Sequence, residues 1–235
     1  MLKWKRMDAS DPYFEERKSL VERLVKEGII KSEKVKNAML RIPRHEFVWP
    51  DQLKHAYEDT PLPLGETNQT VSAPHMVALM NELLDIQVGE KILEVGTGGG
   101  YHAATLAVLT CPNLDSPKPL VFTIEINPKL AKFAKSNLSR LGLDKVVKVI
   151  EGDGSKGYLE EAPYDCISVT AAAPRIPDPL IEQLKPGGRM VIPVQSEFFE
   201  QNLILVKKDE KGRVSKFNAG PVIFVPLRGE YGFSF

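Results

Sequence analysis

Between residues 74 and 195 the sequence switches repeatedly between two periods, and that switching limits the possible folds more than any other feature. After Pro74, the residues Met76, Val77, Leu79, Met80, Leu83 and Leu84 fall at helical spacing. A strand follows over 91–95, then a glycine-rich turn, a helix over 101–109 and a strand over 120–126. The pattern continues with a helix over 128–141, strands over 146–150 and 165–170, a helix over 179–184 and a strand over 190–194. Several of these strands are apolar without a polar face, as strands of a parallel sheet covered on both sides are. The expected fold is α/β, a doubly wound and mostly parallel sheet.

The flanking segments read differently. Ser10-Asp11-Pro12 opens a helix that carries Phe14, Val21, Leu24 and Val25 and closes at Gly28. Ser32 caps a second helix bearing Val35, Met39 and Leu40, which Pro43 ends. From 44 to 74, Pro50, Pro61, Pro63 and Gly65 break every period, while Phe47, Trp49, Tyr57 and Leu62 argue against disorder, so a long structured loop is expected. After Gln195 the helices stop, and the runs 203–207 and 222–227 read as strands added to the sheet. The 235 residues suit one domain. Its expected parts are N-terminal helices with a lid and substrate segment (1–73), the α/β core (74–195) and C-terminal strands (196–235).

Thirty-one Lys and Arg balance thirty-one Asp and Glu, so no global field gathers nucleic acid or holds the chain on an anionic membrane. No apolar run approaches the ~18 residues of a membrane span. Cys111 and Cys166 lack a disulfide or zinc-ribbon pattern, and His45, His55, His75 and His102 show no metal spacing. The expectation is a cytoplasmic monomer without nucleic-acid or membrane partners and without a metal.

Ile92-Leu93-Glu94-Val95-Gly96-Thr97-Gly98-Gly99-Gly100-Tyr101 runs from a strand through a glycine turn into a helix, at the sheet edge where ligands bind. Glycines let backbone approach a ligand, and the helix offers free amides to an anion, although such glycines also serve turns alone. A dinucleotide fingerprint wants Gly or Ala where Tyr101 stands, and Glu94 would repel a pyrophosphate. S-adenosylmethionine fits better. Its ammonium and sulfonium attract Glu94, directly or through water, and its carboxylate takes the helix amides. Glu125 closes the next strand, where a carboxylate accepts from ribose hydroxyls, and Asp153 follows the third, where it accepts from the adenine amino group.

With these residues the sequence resembles the S-adenosylmethionine-dependent methyltransferases, and more narrowly the protein-L-isoaspartate O-methyltransferase family. The narrower resemblance rests on Ala56-Tyr57-Glu58-Asp59-Thr60-Pro61-Leu62-Pro63-Leu64-Gly65, on Gln69-Thr70-Val71-Ser72-Ala73-Pro74-His75-Met76, on Gly152-Asp153-Gly154 and on Ala171-Ala172-Ala173-Pro174. Ala162-Pro163-Tyr164-Asp165 and Gln183-Leu184-Lys185-Pro186-Gly187-Gly188-Arg189 agree with it as well, and it extends over about 41–227. Gly65-Glu66-Thr67-Asn68 is one residue longer than in many relatives, and the 111–119 loop is enlarged.

The resemblance implies a Rossmann-like methyltransferase fold and transfer of a methyl group from S-adenosyl-L-methionine to the free α-carboxylate of L-isoaspartyl residues, leaving S-adenosyl-L-homocysteine. The ester closes to a succinimide, and damaged proteins and peptides are thereby repaired. It implies Ser72 as the residue at the acceptor and Asp59, Thr60, Pro61 and Leu62 as the substrate segment. Gln69, Thr70, Val71, His75, Glu94, Gly96, Gly98, Gly100, Glu125, Asp153 and Gly154 are the expected cofactor residues. The strand expected over 222–227 is also expected to meet the substrate main chain. Three other readings stay open at this point: a methyltransferase for another acceptor, a nicotinamide-dependent oxidoreductase and a noncatalytic S-adenosylmethionine-binding module.

Overall fold

A computed structural model describes residues 11–196 and 200–234. In chain order the helices and strands are α1 (Phe14–Lys26), α2 (Glu33–Arg41), β1 (Leu62–Pro63), β2 (Thr70–Val71), α3 (Pro74–Leu84), β3 (Ile92–Val95), α4 (Tyr101–Thr110) and β4 (Val121–Glu125). They continue with α5 (Pro128–Arg140), β5 (Val147–Glu151), β6 (Tyr164–Val169), α6 (Asp178–Gln183), β7 (Leu184–Gln195), β8 (Gln201–Lys208) and β9 (Val214–Val222). Ser10 and its expected capping role lie outside the described residues. Ser32 does cap α2, its Oγ accepting from the Val35 amide at 3.3 Å.

The sheet runs β5-β4-β3-β6-β7-β8-β9, parallel through β7 and antiparallel beyond it. Alternation along each strand divides the core in two. Ile92, Val121, Cys166 and Val191 pack toward α1 to α5, while their neighbours Leu93, Phe122, Ile167 and Met190 pack on the face that receives α6. Every residue of α4 is buried, because the helix is enclosed by the sheet and α2, which explains why its sequence shows no polar stripe. The strand order reverses direction at β3 and β6, so the carboxyl ends of β3, β4 and β6 surround one crevice.

Two elements differ from the sequence expectation. The last strand is Val214–Val222 rather than 222–227. Apart from half-buried Ala219, Gly220 and Val222 it is exposed, so an edge strand with little apolar alternation left no readable period. The apolar run after it contains Pro226, which has no N–H to give a ladder, and its one backbone bridge among the described residues is Ala172–Pro226, while Phe224 is held to β8 by the Gln201 side chain. In addition, β7 begins at Leu184, with 185–188 bulging out between the Tyr164–Leu184 and Cys166–Arg189 pairs.

The loop expected over 44–74 is ordered by two short 3-10 helices, Arg44–Phe47 and Pro50–His55, and by the β1–β2 hairpin. Gly65-Glu66-Thr67-Asn68 forms the hairpin turn, with the Leu64 amide donating to the Gln69 carbonyl at 2.8 Å. Among the described residues no helix is long and apolar enough to cross a membrane, and no group of His, Cys, Asp and Glu is arranged to hold a metal ion.

Candidate active site

The glycine turn begins where β3 ends. Gly96 has φ +95°, and a Cβ there would come within 2.3 Å of Thr170 Oγ1, so both the conformation and the space require glycine. Thr170, just past β6, explains the crowding: its hydroxyl donates to the carbonyl oxygens of Val95 and Gly96 at 3.0 and 2.7 Å. Gly99 meets a different neighbour, since a Cβ there would stand 2.3 Å from the Phe47 carbonyl oxygen. The turn is thus held between the end of β6 and the first 3-10 helix.

Glu125 ends β4 and is buried, with Oε2 accepting from the Gly98 amide at 2.8 Å and Oε1 from the Asn127 amide at 2.9 Å. Burial pushes its pKa up, against those two bonds. Glu125 borders a crevice that Gln69, Thr70, Gly96, Gly98 and Gly154 also line. Ile126, Thr170 and the segment 225–228 complete the walls. The space between these walls is about 60 Å³. A larger hollow of about 770 Å³ opens beyond Gly152 and Asp153, where only short 3-10 turns connect β5 to β6. None of the glycine turn lines that hollow, whereas Gly96 and Gly98 line the smaller crevice.

Six of the expected cofactor residues therefore line the crevice; Val71, His75, Glu94, Gly100 and Asp153 do not, nor do Ser72 and the 59–62 segment. Glu94 is the clearest difference. It lies two residues after Ile92 on the same strand face, so its side chain points under α4 and has no exposed surface. Its Oε2 accepts from the Thr123 hydroxyl at 2.5 Å, and burial raises its pKa to about 8. Glu94 therefore lies beneath the turn and does not line the crevice. Asp153 is also engaged by the chain. Its Oδ1 accepts from the Ser155 amide and hydroxyl, and its Oδ2 from the Glu230 amide at 2.9 Å.

The acceptor segment is framed by polar contacts. Asp59 Oδ1 accepts from the His75 amide at 2.8 Å and approaches His75 Nδ1 at 2.9 Å, capping α3 where its own N-cap, Ala73, has no side chain to offer. Leu62 is buried and pairs with Val71, whereas Pro61 is exposed and Thr60 half-buried. The Ser72 carbonyl accepts from buried Arg44, and among the described residues no group bonds the Ser72 hydroxyl. Gly100 caps α4 with φ +94°. Sequence reasoning missed Arg44 and Thr170, and it expected the 222–227 segment to meet the substrate main chain, not to line this crevice. Thr170 was the one with a signal, since it stands at the end of a fourth strand around the same turn.

The profile of the protein-L-isoaspartate(D-aspartate) O-methyltransferase family matches residues 15–232. The chain belongs to this family. It is 57% identical over 223 residues to a protein-L-isoaspartate O-methyltransferase of Hyperthermus butylicus, covering 93% of this chain and 91% of the relative. A solved protein-L-isoaspartate O-methyltransferase superposes with a TM-score of 0.81 at 33% identity, covering 92% of this chain and 67% of the other. A candidate member from Plasmodium falciparum, in complex with S-adenosyl-L-homocysteine, gives 0.80 at 29% identity over 90% of this chain and 98% of its own. The crevice beside Gly96 combines the close-packed glycines Gly96 and Gly154 with the strand-end carboxylate of Glu125.

Proposed function

We infer that this chain is an S-adenosyl-L-methionine-dependent methyltransferase that esterifies the free α-carboxylate of L-isoaspartyl residues in damaged proteins and peptides. The observation that carries this reading is that the acceptor segment itself walls the glycine-turn crevice, with Gln69 and Thr70 facing Gly96 and Gly98 two residues before an unengaged Ser72 hydroxyl.

When bound, S-adenosyl-L-methionine supplies a methyl group on a positively charged sulfur. The amides at the start of α4 hold its carboxylate, Glu125 accepts from its ribose hydroxyls, and the Asp153-Gly154 turn borders its adenine. Thr70, Val71 and His75 border its methionine part. The acceptor carboxylate, with an ordinary pKa near ~4, is already ionised at neutral pH, so the chain needs no general base. Ser72 donates its hydroxyl proton in a hydrogen bond to one carboxylate oxygen and turns the other toward the methyl group. That oxygen forms the new O–CH3 bond as the S–CH3 bond breaks, and positioning of this kind supplies up to roughly 7 kcal/mol or more. Asp59, Thr60, Pro61 and Leu62 hold peptide main chain beside the carboxylate. Such a grip separates isoaspartate, whose backbone runs through the side-chain methylene, from aspartate. The ester then closes to a succinimide outside the site.

The same reading makes the enzyme a cytoplasmic monomer that needs no metal or nucleic acid, in keeping with two free buried cysteines and a balanced charge. The deciding experiment supplies radiolabelled S-adenosyl-L-methionine with matched isoaspartyl and aspartyl peptides and counts methanol released by mild base. Base-labile label on the isoaspartyl peptide alone is expected. Equal labelling of both peptides, or base-stable label, overturns the reading.

A further inference from the structure

Arg44 opens the 3-10 helix Arg44–Phe47 and has no exposed surface. Its guanidinium reaches two stretches of the acceptor segment at once. Nη1 donates to the Ser72 carbonyl at 2.7 Å, while Nη2 donates to the Thr60 carbonyl at 3.2 Å and to the Val71 carbonyl at 3.5 Å. The guanidinium carbon also stands 5.1 Å from the ring centroid of Tyr101, the first residue of α4. Burial lowers its pKa to about 10, which leaves it cationic at neutral pH.

A buried cation is costly, and an apolar side chain of similar size would fill the same space at less cost. The ion pairs formed among the described residues use Arg17, Arg140, Arg189 and Arg213, but not Arg44. What compensates it is the set of carbonyl dipoles, the Tyr101 ring and the field of the nearby Asp59 carboxylate. The same short helix meets the glycine turn at its other end, with the Phe47 carbonyl against Gly99 and the Phe47 ring 5.9 Å from Tyr101. One rigid piece therefore touches the acceptor segment and the cofactor turn together.

We propose that Arg44 is the positioning residue of methyl transfer: by tying the Ser72 and Thr60 carbonyls to the face of Tyr101, it fixes the Ser72 hydroxyl relative to the glycine turn. The proposal rests on the methyl-transfer reading above. A lysine offers a point charge in place of a planar fork and cannot hold both carbonyls in one plane.

The test compares Arg44→Lys, Ser72→Ala and the double variant on an isoaspartyl peptide, with cofactor affinity by calorimetry and folding by circular dichroism; Arg44→Gln replaces the lysine variant if that one does not fold. The expected result is a fall in kcat of about 10- to 100-fold for Arg44→Lys. Cofactor Kd should stay within about twofold, and the double variant should be no slower than Ser72→Ala alone. Wild-type turnover by the folded Arg44 variant, or a loss that multiplies with that of Ser72→Ala, overturns the proposal. An inactive wild-type protein would instead overturn the reading on which it rests.

Discussion

Glu94 Oε1 lies 3.5 Å from His102 Nδ1 beneath the glycine turn, and neither atom has another hydrogen-bond partner. The surrounding bonds assign the proton between them. His102 Nε2 faces Asn81 Oδ1 at 3.1 Å and Asn81 Nδ2 donates to Thr105 Oγ1, so Nε2 carries hydrogen and Nδ1 accepts. On the other side Thr123 donates to Glu94 Oε2. A protonated Glu94 and a neutral His102 satisfy the whole chain.

Glu94→Gln should therefore be tolerated, because an amide donates to Nδ1 and accepts from Thr123 as the protonated acid does. Glu94 has its pKa raised from 4.5 to about 8, so between those values the folded chain holds a proton that the unfolded chain has lost, and stability falls as pH rises. His102 is lowered by burial from 6.5 to about 3, so over that range stability falls as pH drops. The two slopes oppose between 4.5 and 6.5, and only the Glu94 decline continues to about 8. Denaturant titrations at stepped pH should show that the glutamine variant lacks this decline, which is at most about 1.4 kcal/mol per pH unit for one proton. Identical profiles for both proteins would refute the proton assignment.

Ser72→Ala should cut kcat/KM for an isoaspartyl peptide about 10- to 100-fold, the value of one hydrogen bond to a charged group. Cofactor affinity measured by calorimetry should be unchanged, since Ser72 does not line the crevice. A variant that turns over normally would move the acceptor site elsewhere.

Asp59→Asn tests the frame of that site. The bond to Asp59 raises the pKa of His75, so the pair adds stability below the ordinary histidine range and loses it as pH rises through the raised value. Removing the charge should lower the His75 titration midpoint in an NMR experiment and flatten that part of the stability profile. An unmoved midpoint would show that the 2.9 Å contact does not hold in solution.

Gly229→Ala tests the far wall. Gly229 has φ +123°, and a Cβ there would come within 1.9 Å of Asp153 Oδ1. The variant should lose at least about 1–2 kcal/mol of stability through backbone strain, and its cofactor affinity should weaken as 225–228 shifts. Calorimetry giving wild-type affinity would separate the C-terminal turn from the crevice.

The sheet was legible because β3 to β6 are short, mostly apolar runs bounded by turns, and the helices between them follow at regular intervals. The polar edge strand β9 offered no such run. Glycines and strand-end acids located the crevice, since their positions follow from chain order alone. The face to which an acid turns depends on register, and Glu94 turns beneath the glycine turn, where Glu125 lines the crevice. Arg44 escaped notice because its partners are main-chain oxygens 16 to 28 residues away, which no side-chain pattern announces.

The crevice takes one wall from Gln69 and Thr70 and the opposite one from 225–228. These two walls come from segments far apart in the chain, so the crevice has its shape only where the hairpin and the 225–228 segment are both seated against the sheet.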